Sequence, residues 1–342
     1  MSACPKMMVH GPCGGVQPDG ACEIGGRRCV FLSETDPPAP LTQAIHAPER
    51  APFALGAREL IALWDHRPII TVELTAAPLD VDALRASAAA VAGHADAALL
   101  GDAPWARVQL PPSLRAQVVA SEGVRPWASL SCRDRNRVAL EGELAGLAAV
   151  GVPAIHCVTG DHPLLGHRPD ATPVFDLDST RLASLAAATG MVVSVAESPS
   201  APPKARRPAR MAAKAAAGAH VCFVNHAAEP GEVEEFVGAL RELTPGVRCI
   251  ASVPLVVSEK GVERLASFIP GAVVPVGALQ ATVSGDPVGG AVRVAVQRAE
   301  ALLDVDGVDG IDLSAAAGPG EELQVAGALA LAASALGGGS AT

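Results

Sequence analysis

Arg137-Val-Ala-Leu-Glu-Gly-Glu-Leu-Ala-Gly-Leu-Ala-Ala-Val150, followed by Gly151 and then by Ala154-Ile-His-Cys-Val-Thr159, contains the unit from which most of the chain is built. The first part is an amphipathic stretch of helical length. The glycine suits a helix C-terminus that needs positive φ, and the last part is an apolar run of strand length. From about residue 57 the same helix, glycine, strand unit recurs. The apolar runs are Ile69–Leu74, Ala97–Gly101, Trp127–Ser131, Ala154–Thr159, Val192–Ala196, Val221–Asn225, Arg248–Val253 and Gly310–Ser314. Helical stretches between them include Asp80–Ala92, Ser179–Ala188, Arg207–Ala217 and Gly231–Leu243, and glycines at 190, 218 and 246 repeat the role of Gly151.

Short runs without polar alternation are the pattern of parallel strands covered on both faces. A doubly wound sheet shares this local pattern, but eight units of roughly 30 residues suit a closed (β/α)8 TIM barrel of the α/β class better. The expected organisation is a Cys-rich segment over 1–31, a linker over 32–56 and the barrel over 57–336. Several prolines and little periodicity mark Phe31–Pro52 as linker, and a helix at Ala57–Trp64 is placed to close one end of the barrel. The last helix, Glu321–Leu336, is so rich in Ala and Gly that a frayed end is expected.

Composition narrows the function. With 49% hydrophobic and 18% charged residues among 342, the chain can bury a large core. A net charge of −10 argues against nucleic acid as a partner. The one locally basic stretch, Lys204-Ala-Arg-Arg-Pro-Ala-Arg210, reads either as a solvated loop and helix start or as a clamp for phosphates or glutamyl carboxylates. No uninterrupted apolar stretch of membrane-spanning length is present, and Met1–Cys29 does not read as a signal peptide, so the expected location is the cytoplasm, with no membrane partner. In that compartment the eight cysteines read as thiols or metal ligands. Cys157, Cys222 and Cys249 lie in apolar runs, where cysteine packs as a small hydrophobe. His46 and His94 stand alone and read as surface or packing residues.

In a barrel the groups that face a substrate sit where strands end. Those positions hold Glu73, Asp102, Cys132 with Arg133, Asp161, Glu197, Asn225 with His226, and Asp312. Glu73 lies within Ile-Ile-Thr-Val-Glu-Leu-Thr, where desolvation would raise its pKa toward that of a general acid; a satisfied strand-end carboxylate reads the same way. Asp161 follows Thr159 and Gly160, a glycine that lets backbone approach a ligand, although an exposed turn aspartate would look similar. Ser131-Cys-Arg-Asp-Arg-Asn-Arg137 reads as a helix start with solvated arginines or as a pocket rim. No dinucleotide fingerprint, phosphate-binding loop or nucleophile elbow is present.

The words Ser131-Cys-Arg-Asp-Arg-Asn-Arg-Val-Ala-Leu140, Val150-Gly151, Thr159-Gly-Asp-His-Pro163 and Pro173-Val-Phe-Asp-Leu-Asp-Ser179 closely resemble the short prokaryotic methylenetetrahydrofolate reductases. The resemblance is dense from Trp127 to Leu185 and thinner over the rest of 57–315. It implies a flavin-containing barrel that reduces 5,10-methylenetetrahydrofolate to 5-methyltetrahydrofolate with NAD(P)H. It implies Glu73 as the acid that opens the imidazolidine ring and Asp161 as the aspartate beside pterin and flavin. From their positions in the chain, Asn225, Arg133 and Asp102 are expected on the substrate, and Thr159, Gly160, Lys214 and Arg210 toward the cofactor. Cys4-Pro-Lys, Gly11-Pro-Cys13-Gly-Gly, Gly20-Ala-Cys22-Glu and Cys29-Val-Phe look like the small Cys-rich domain associated with these reductases. Cys4, Cys13, Cys22 and Cys29, spaced by eight, eight and six residues, can surround one centre, zinc or an iron–sulfur cluster.

The chain also departs from that family. Phe223-Val-Asn225 stands where relatives commonly have Gln-Thr-Gln, the second strand ends Leu99-Leu-Gly-Asp102, and Arg207 and Arg210 replace Asp and Asn near the flavin, although Lys214 agrees. With no Tyr and 3% aromatic residues, few rings can stack on a flavin or pterin, which argues against tight binding of FAD or FMN. Three readings follow: a reductase, a flavin-free folate-dependent one-carbon transferase, and a non-catalytic barrel subunit that docks a redox partner. A carbon acceptor or redox partner, and assembly as a homo-oligomer, are further expectations.

Overall fold

The structure, a computed structural model, describes residues 4–32, 49–74, 79–102, 107–225, 229–268, 280, 285–315, 317–318 and 320–339. Most of the linker, His46 and His226 lie outside the described residues. Each expected apolar run is a strand, within two residues at either end: β1 Ile69–Glu73, β2 Ala97–Leu100, β3 Pro126–Ser131, β4 Ala154–Val158, β5 Val192–Glu197, β6 Val221–Val224, β7 Arg248–Leu255 and β8 Val308–Ala315. All pair in parallel with their sequence neighbours, and β1 pairs with β8, so the sheet closes. The strands are buried on both faces because each is covered twice. On β1, Ile70, Val72 and Leu74 pack outward against the helices, while Ile69 packs inward.

The helices are α1 Leu55–His66, α2 Val81–Val91, α3 Pro112–Ser121, α4 Arg137–Ala149, α5 Ser179–Ala186, α6 Arg207–Ala216, α7 Pro230–Leu243, α8 Glu259–Phe268, α9 Pro287–Leu303 and α10 Glu322–Ala335. Side-chain carboxylates or amides cap four of them where the chain leaves the mouth: Asp80, Asn136, Asp178 and Asp286 each accept a backbone N–H of the first turn. Gly190 has φ +75, and a Cβ there would lie 2.7 Å from Pro52 O, so backbone contact as well as conformation requires glycine. Gly246 departs from expectation: it has no positive φ, because α7 stops at Leu243 and Thr244, at φ −156 and ψ 86, already turns the chain out of the helix. The end of α10 is not frayed. Gly338 N donates to Ala333 O at 2.9 Å and Gly339 N to Asp96 Oδ1 at 3.1 Å, so its orphan carbonyls and the following turn are tied down.

The two ends of the barrel differ. Below, Ala57, Leu60 and Trp64 of α1 plug the interior against Ile69, Trp127 and Val192, and Trp64 Nε1 donates to Asp309 O at 2.6 Å. Above, residues 4–32 lie against the ends of β4 and β5. His10 Nδ1 donates to Asp178 Oδ2 at 3.1 Å, and a Cβ on Gly14 would come within 2.8 Å of Ser198 Oγ. Within this segment the ladder is only two isolated bridges, Val16 with Cys22 and Ala21 with Arg28, so it relies on the barrel for its order. Trp64→Ala should cost about 3–5 kcal/mol of unfolding free energy, the usual range for emptying a large aromatic site. A denaturant titration showing a loss below about 1 kcal/mol would remove the plug from the account of stability.

Candidate functional site

Side chains on one strand alternate between faces, so Thr71 and Glu73 follow Ile69 into the barrel. Glu73 leans across to the end of β2, where a Cβ on Gly101 would lie 2.6 Å from its Oε1. The missing side chain makes the space for the carboxyl. Burial lifts the Glu73 pKa to about 7, with the charge of Arg115 working against the rise. Arg115, from α3, is itself buried and donates from Nη1 to Gly101 O at 2.8 Å and to Gln109 Oε1 at 3.1 Å. Beside it, Asp102 accepts from Arg135 Nη1 at 3.1 Å and from Gln109 Nε2, and faces Arg133 at 3.7 Å. Burial raises the pKa of Asp102 while Arg135 and Arg133 oppose it. The charged run after β3 divides: Arg133 is only 2% exposed beside Asp102, whereas Asp134, Asn136 and Arg137 are exposed and Asn136 caps the start of α4.

Opposite, β4 leads into Thr159, Gly160 and Asp161. Thr159 Oγ1 accepts from Ser179 N at 3.1 Å, tying the loop to the start of α5. Gly160, at φ +89, could carry no side chain, since a Cβ would sit 2.2 Å from Ser131 Oγ. Its close approach is therefore to the end of β3. Asp161 shares its surroundings with Lys6, delivered from the Cys-rich segment. Lys6 is 5% exposed and ion-paired to Glu23; burial works against its charge, and Cys13, Glu23 and Asp161 more than restore it.

Behind β5 the carboxylate of Glu197 gathers three cations from one face of α6. Arg207 Nη1 donates to Oε1 at 2.9 Å, and Arg210 Nη1 and Lys214 Nζ donate to Oε2 at 2.7 and 2.9 Å. Burial opposes ionisation of Glu197, but Lys214, Arg210 and Arg207 hold its pKa far below the usual range. Arg207 spends its other protons on backbone carbonyls, of Ala201 at 2.9 Å, Pro202 at 2.6 Å, Cys13 at 3.2 Å and Pro12 at 3.4 Å. A Cβ on Gly11 would lie 3.3 Å from Arg210 Cδ. Arg210 is thus buried between Glu197 and the Cys-rich segment, Lys214 is buried against Glu197 and Ala196 O, and Lys204 is exposed and pairs with Glu232. Asn225, beyond β6, donates from Nδ2 to Ser198 Oγ at 2.9 Å and so borders the same corner.

The four clustered cysteines are half-buried and form no disulfide. Burial raises the Cys4 and Cys29 thiols, and each also feels Cys13 and Cys22, so the four are neighbours. Among the described residues, no group of three or more His, Cys, Asp or Glu side chains is arranged to hold a metal ion. Four neighbouring thiols of this kind fit the soft-ligand chemistry of zinc or iron–sulfur centres.

Sequence reasoning missed three residues. His156 lies inside the apolar run of β4, with its Nδ1 2.9 Å from Ser194 Oγ; burial lowers its pKa to about 3, so it is a neutral imidazole within the barrel. Its alternation with Ala154 and Val158 was the available signal. Arg115 and Lys6 had none, because only the packing of α3 and of the Cys-rich segment brings them to the mouth.

Fold and site together define a (β/α)8 barrel with a carboxyl-bearing mouth partly covered by a Cys-rich segment. A family model described as "Methylene-tetrahydrofolate reductase C terminal" matches residues 1–43. No curated protein matches the chain. Among solved structures, 2,3-dimethylmalate lyase, a PEP mutase/isocitrate lyase superfamily member, is similar with 14% identity and a TM-score of 0.47 over 76% of this chain and 81% of that one. That likeness says nothing of chemistry, and the barrel rests on the chain's own strand pairing. No helix among the described residues is long and apolar enough to cross a membrane.

Two outcomes follow. Between pH 4.5 and about 7 the folded protein keeps a proton on Glu73 that the unfolded chain releases, so this group's contribution is fully present below 4.5 and is lost as pH rises through 7. At about 1.36 kcal/mol per unit the loss is at most about 3.4 kcal/mol. Glu73→Gln should flatten that part of the pH–stability curve in urea titrations; an unchanged slope would place the Glu73 pKa in the ordinary range. Separately, Glu197→Gln leaves buried cations without their counter-charge and should cost about 3–5 kcal/mol. Limited proteolysis should then cut within residues 4–32 of the variant first, and equal resistance in both proteins would count against the clamp.

Proposed function

We propose that the protein is a methylenetetrahydrofolate reductase-like enzyme that acts on 5,10-methylenetetrahydrofolate, with Glu73 as the acid that opens the methylene bridge. The observation that carries this reading is Glu73 itself: a carboxyl at the end of β1 whose pKa of about 7 leaves a transferable proton near neutral pH. The match of residues 1–43 to a segment described by the reductase name supports it. In the reaction Glu73 gives its proton to a ring nitrogen of the substrate, the C–N bond breaks with its electron pair passing to that nitrogen, and the methylene carbon is left as an iminium. Asp161 and Asn225 orient the pterin from the opposite wall, and Arg133 with Asp102 forms the rim. Cys4, Cys13, Cys22 and Cys29 would hold a zinc ion or iron–sulfur cluster, which would order the segment over the mouth.

The flavin fits poorly. Arg210 and Lys214, the residues assigned to its phosphates, are bonded to Glu197, Lys214 also donates to Ala196 O, and Gly11 lies against the side chain of Arg210. This favours a flavin-free form, in which a reduced nicotinamide nucleotide bound as co-substrate would supply the hydride for reduction. The same observation favours, as a second reading, a one-carbon transferase that passes the methylene unit to an acceptor. Both require ring opening. Glu73→Gln should lower turnover of 5,10-methylenetetrahydrofolate about 10²–10⁴-fold with little change in folate affinity. The assay supplies NADH or NADPH in one series and candidate carbon acceptors in another. Near-normal turnover in the variant would take Glu73 out of the mechanism.

A further inference from the structure

Asp312 has no part in the steps above, yet it stands in the same interior. It lies on β8 at 2% exposure, level with Thr71 of β1 and Ser252 of β7. Thr71 Oγ1 donates to its Oδ1 at 2.8 Å, and the Ser252 hydroxyl donates as well. Glu73 is two residues beyond Thr71 on the same face, so the acids are diagonal neighbours on adjacent strands. Burial, and after it the charge of Glu73, pushes the pKa of Asp312 well above the carboxylate range. Among the described residues no Lys, Arg or His pairs with Asp312. The nearby cation is Arg115 of α3, which faces Glu73 and Asp102.

We propose that Asp312 and Glu73 form one carboxyl pair in which Asp312 keeps its proton while Glu73 releases its own. Two like charges buried side by side are costly, so the pair loses one proton readily and the second with difficulty. Which acid ionises is decided by Arg115. It offers a counter-charge to Glu73 and none to Asp312; the hydroxyls of Thr71 and Ser252 favour an ionised Asp312, but burial and the charge of Glu73 outweigh them. The use of the released proton rests on the folate reading; the existence of the pair does not. Before ring opening the pair is neutral and holds two protons. Afterwards the substrate nitrogen holds one, Asp312 the other, and Glu73 carries the negative charge beside Arg115. An ionised Asp312 would leave two adjacent carboxylates once Glu73 had given up its proton, and would make that release slower. Asp312 is therefore a positioning residue for the proton.

The test is an infrared titration of the protonated-carboxyl band in the full-length wild type, Asp312→Asn and Glu73→Gln. The wild type should lose two buried protons in separate steps. Asp312→Asn should keep only the lower step. In Glu73→Gln the remaining step, from Asp312, should fall by about one pH unit or more from the wild type's upper step, because the charge that raised it is gone. An Asp312 step that stays in place in Glu73→Gln, or two wild-type protons lost together in the ordinary carboxyl range, overturns the pair. Should Asp312→Asn fail to fold, wild type and Glu73→Gln decide the matter alone. Turnover of 5,10-methylenetetrahydrofolate in the same samples separates the two ideas. Two-step titration without wild-type turnover keeps the pair and removes the folate reading, and turnover with single-step titration does the reverse.

Discussion

The carboxylate of Glu197 is the fixed point to which both parts of the molecule are tied. Two arginines at the start of α6 oppose the positive end of the helix dipole, and burying them would be prohibitive without an anion in contact. Glu197 supplies that anion from the end of β5, and Lys214 joins one turn further along the same face. The arrangement leaves Arg207 with donors to spare, and it places them on the carbonyls of Pro12 and Cys13. The Cys-rich segment is thus held by the same charges that hold α6 to the barrel.

That clamp shapes the mouth. Because the segment lies over β4 and β5, it brings Lys6 beside Asp161 and closes the face of α6 that would otherwise offer cations to a phosphate. On the other side, formed by β1 and β8, Glu73 has Arg115 as its nearby cation and Asp312 has two hydroxyls. One wall is charge-compensated and rigid, and the other holds protons.

The barrel interior repeats this division along its axis. Its lower layer is apolar, with Trp127, Phe223 and Ile69 meeting the plug of α1. Above it the interior turns polar through Thr71, Ser129, His156, Ser194, Ser252 and Asp312, all buried. Such groups are tolerated because they satisfy one another: Trp127 Nε1 donates to Ser194 Oγ at 2.9 Å, and Ser194 to Ile155 O at 3.1 Å. Ordinary barrel interiors are filled with branched apolar side chains, so this hydrogen-bonded polar layer is a departure from the usual packing.

The strands and most helices were legible in the sequence because each depends on periodicity within about ten residues, and strand-end residues such as Glu73, Asp161 and Asp312 could be named from position alone. The plug at Ala57–Trp64 was legible for the same reason. What Arg210 and Lys214 contact was not, since a basic helix start reads alike whether it faces a cofactor phosphate or a buried Glu197. Nor could the sequence place His10 on Asp178, 168 residues away. The pairing of Asp312 with Glu73 exists only because β8 closes on β1. Local chemistry determined which residues the chain offers to its mouth; closure of the barrel and docking of the Cys-rich segment decided their neighbours, and for buried charges the neighbours set the protonation state.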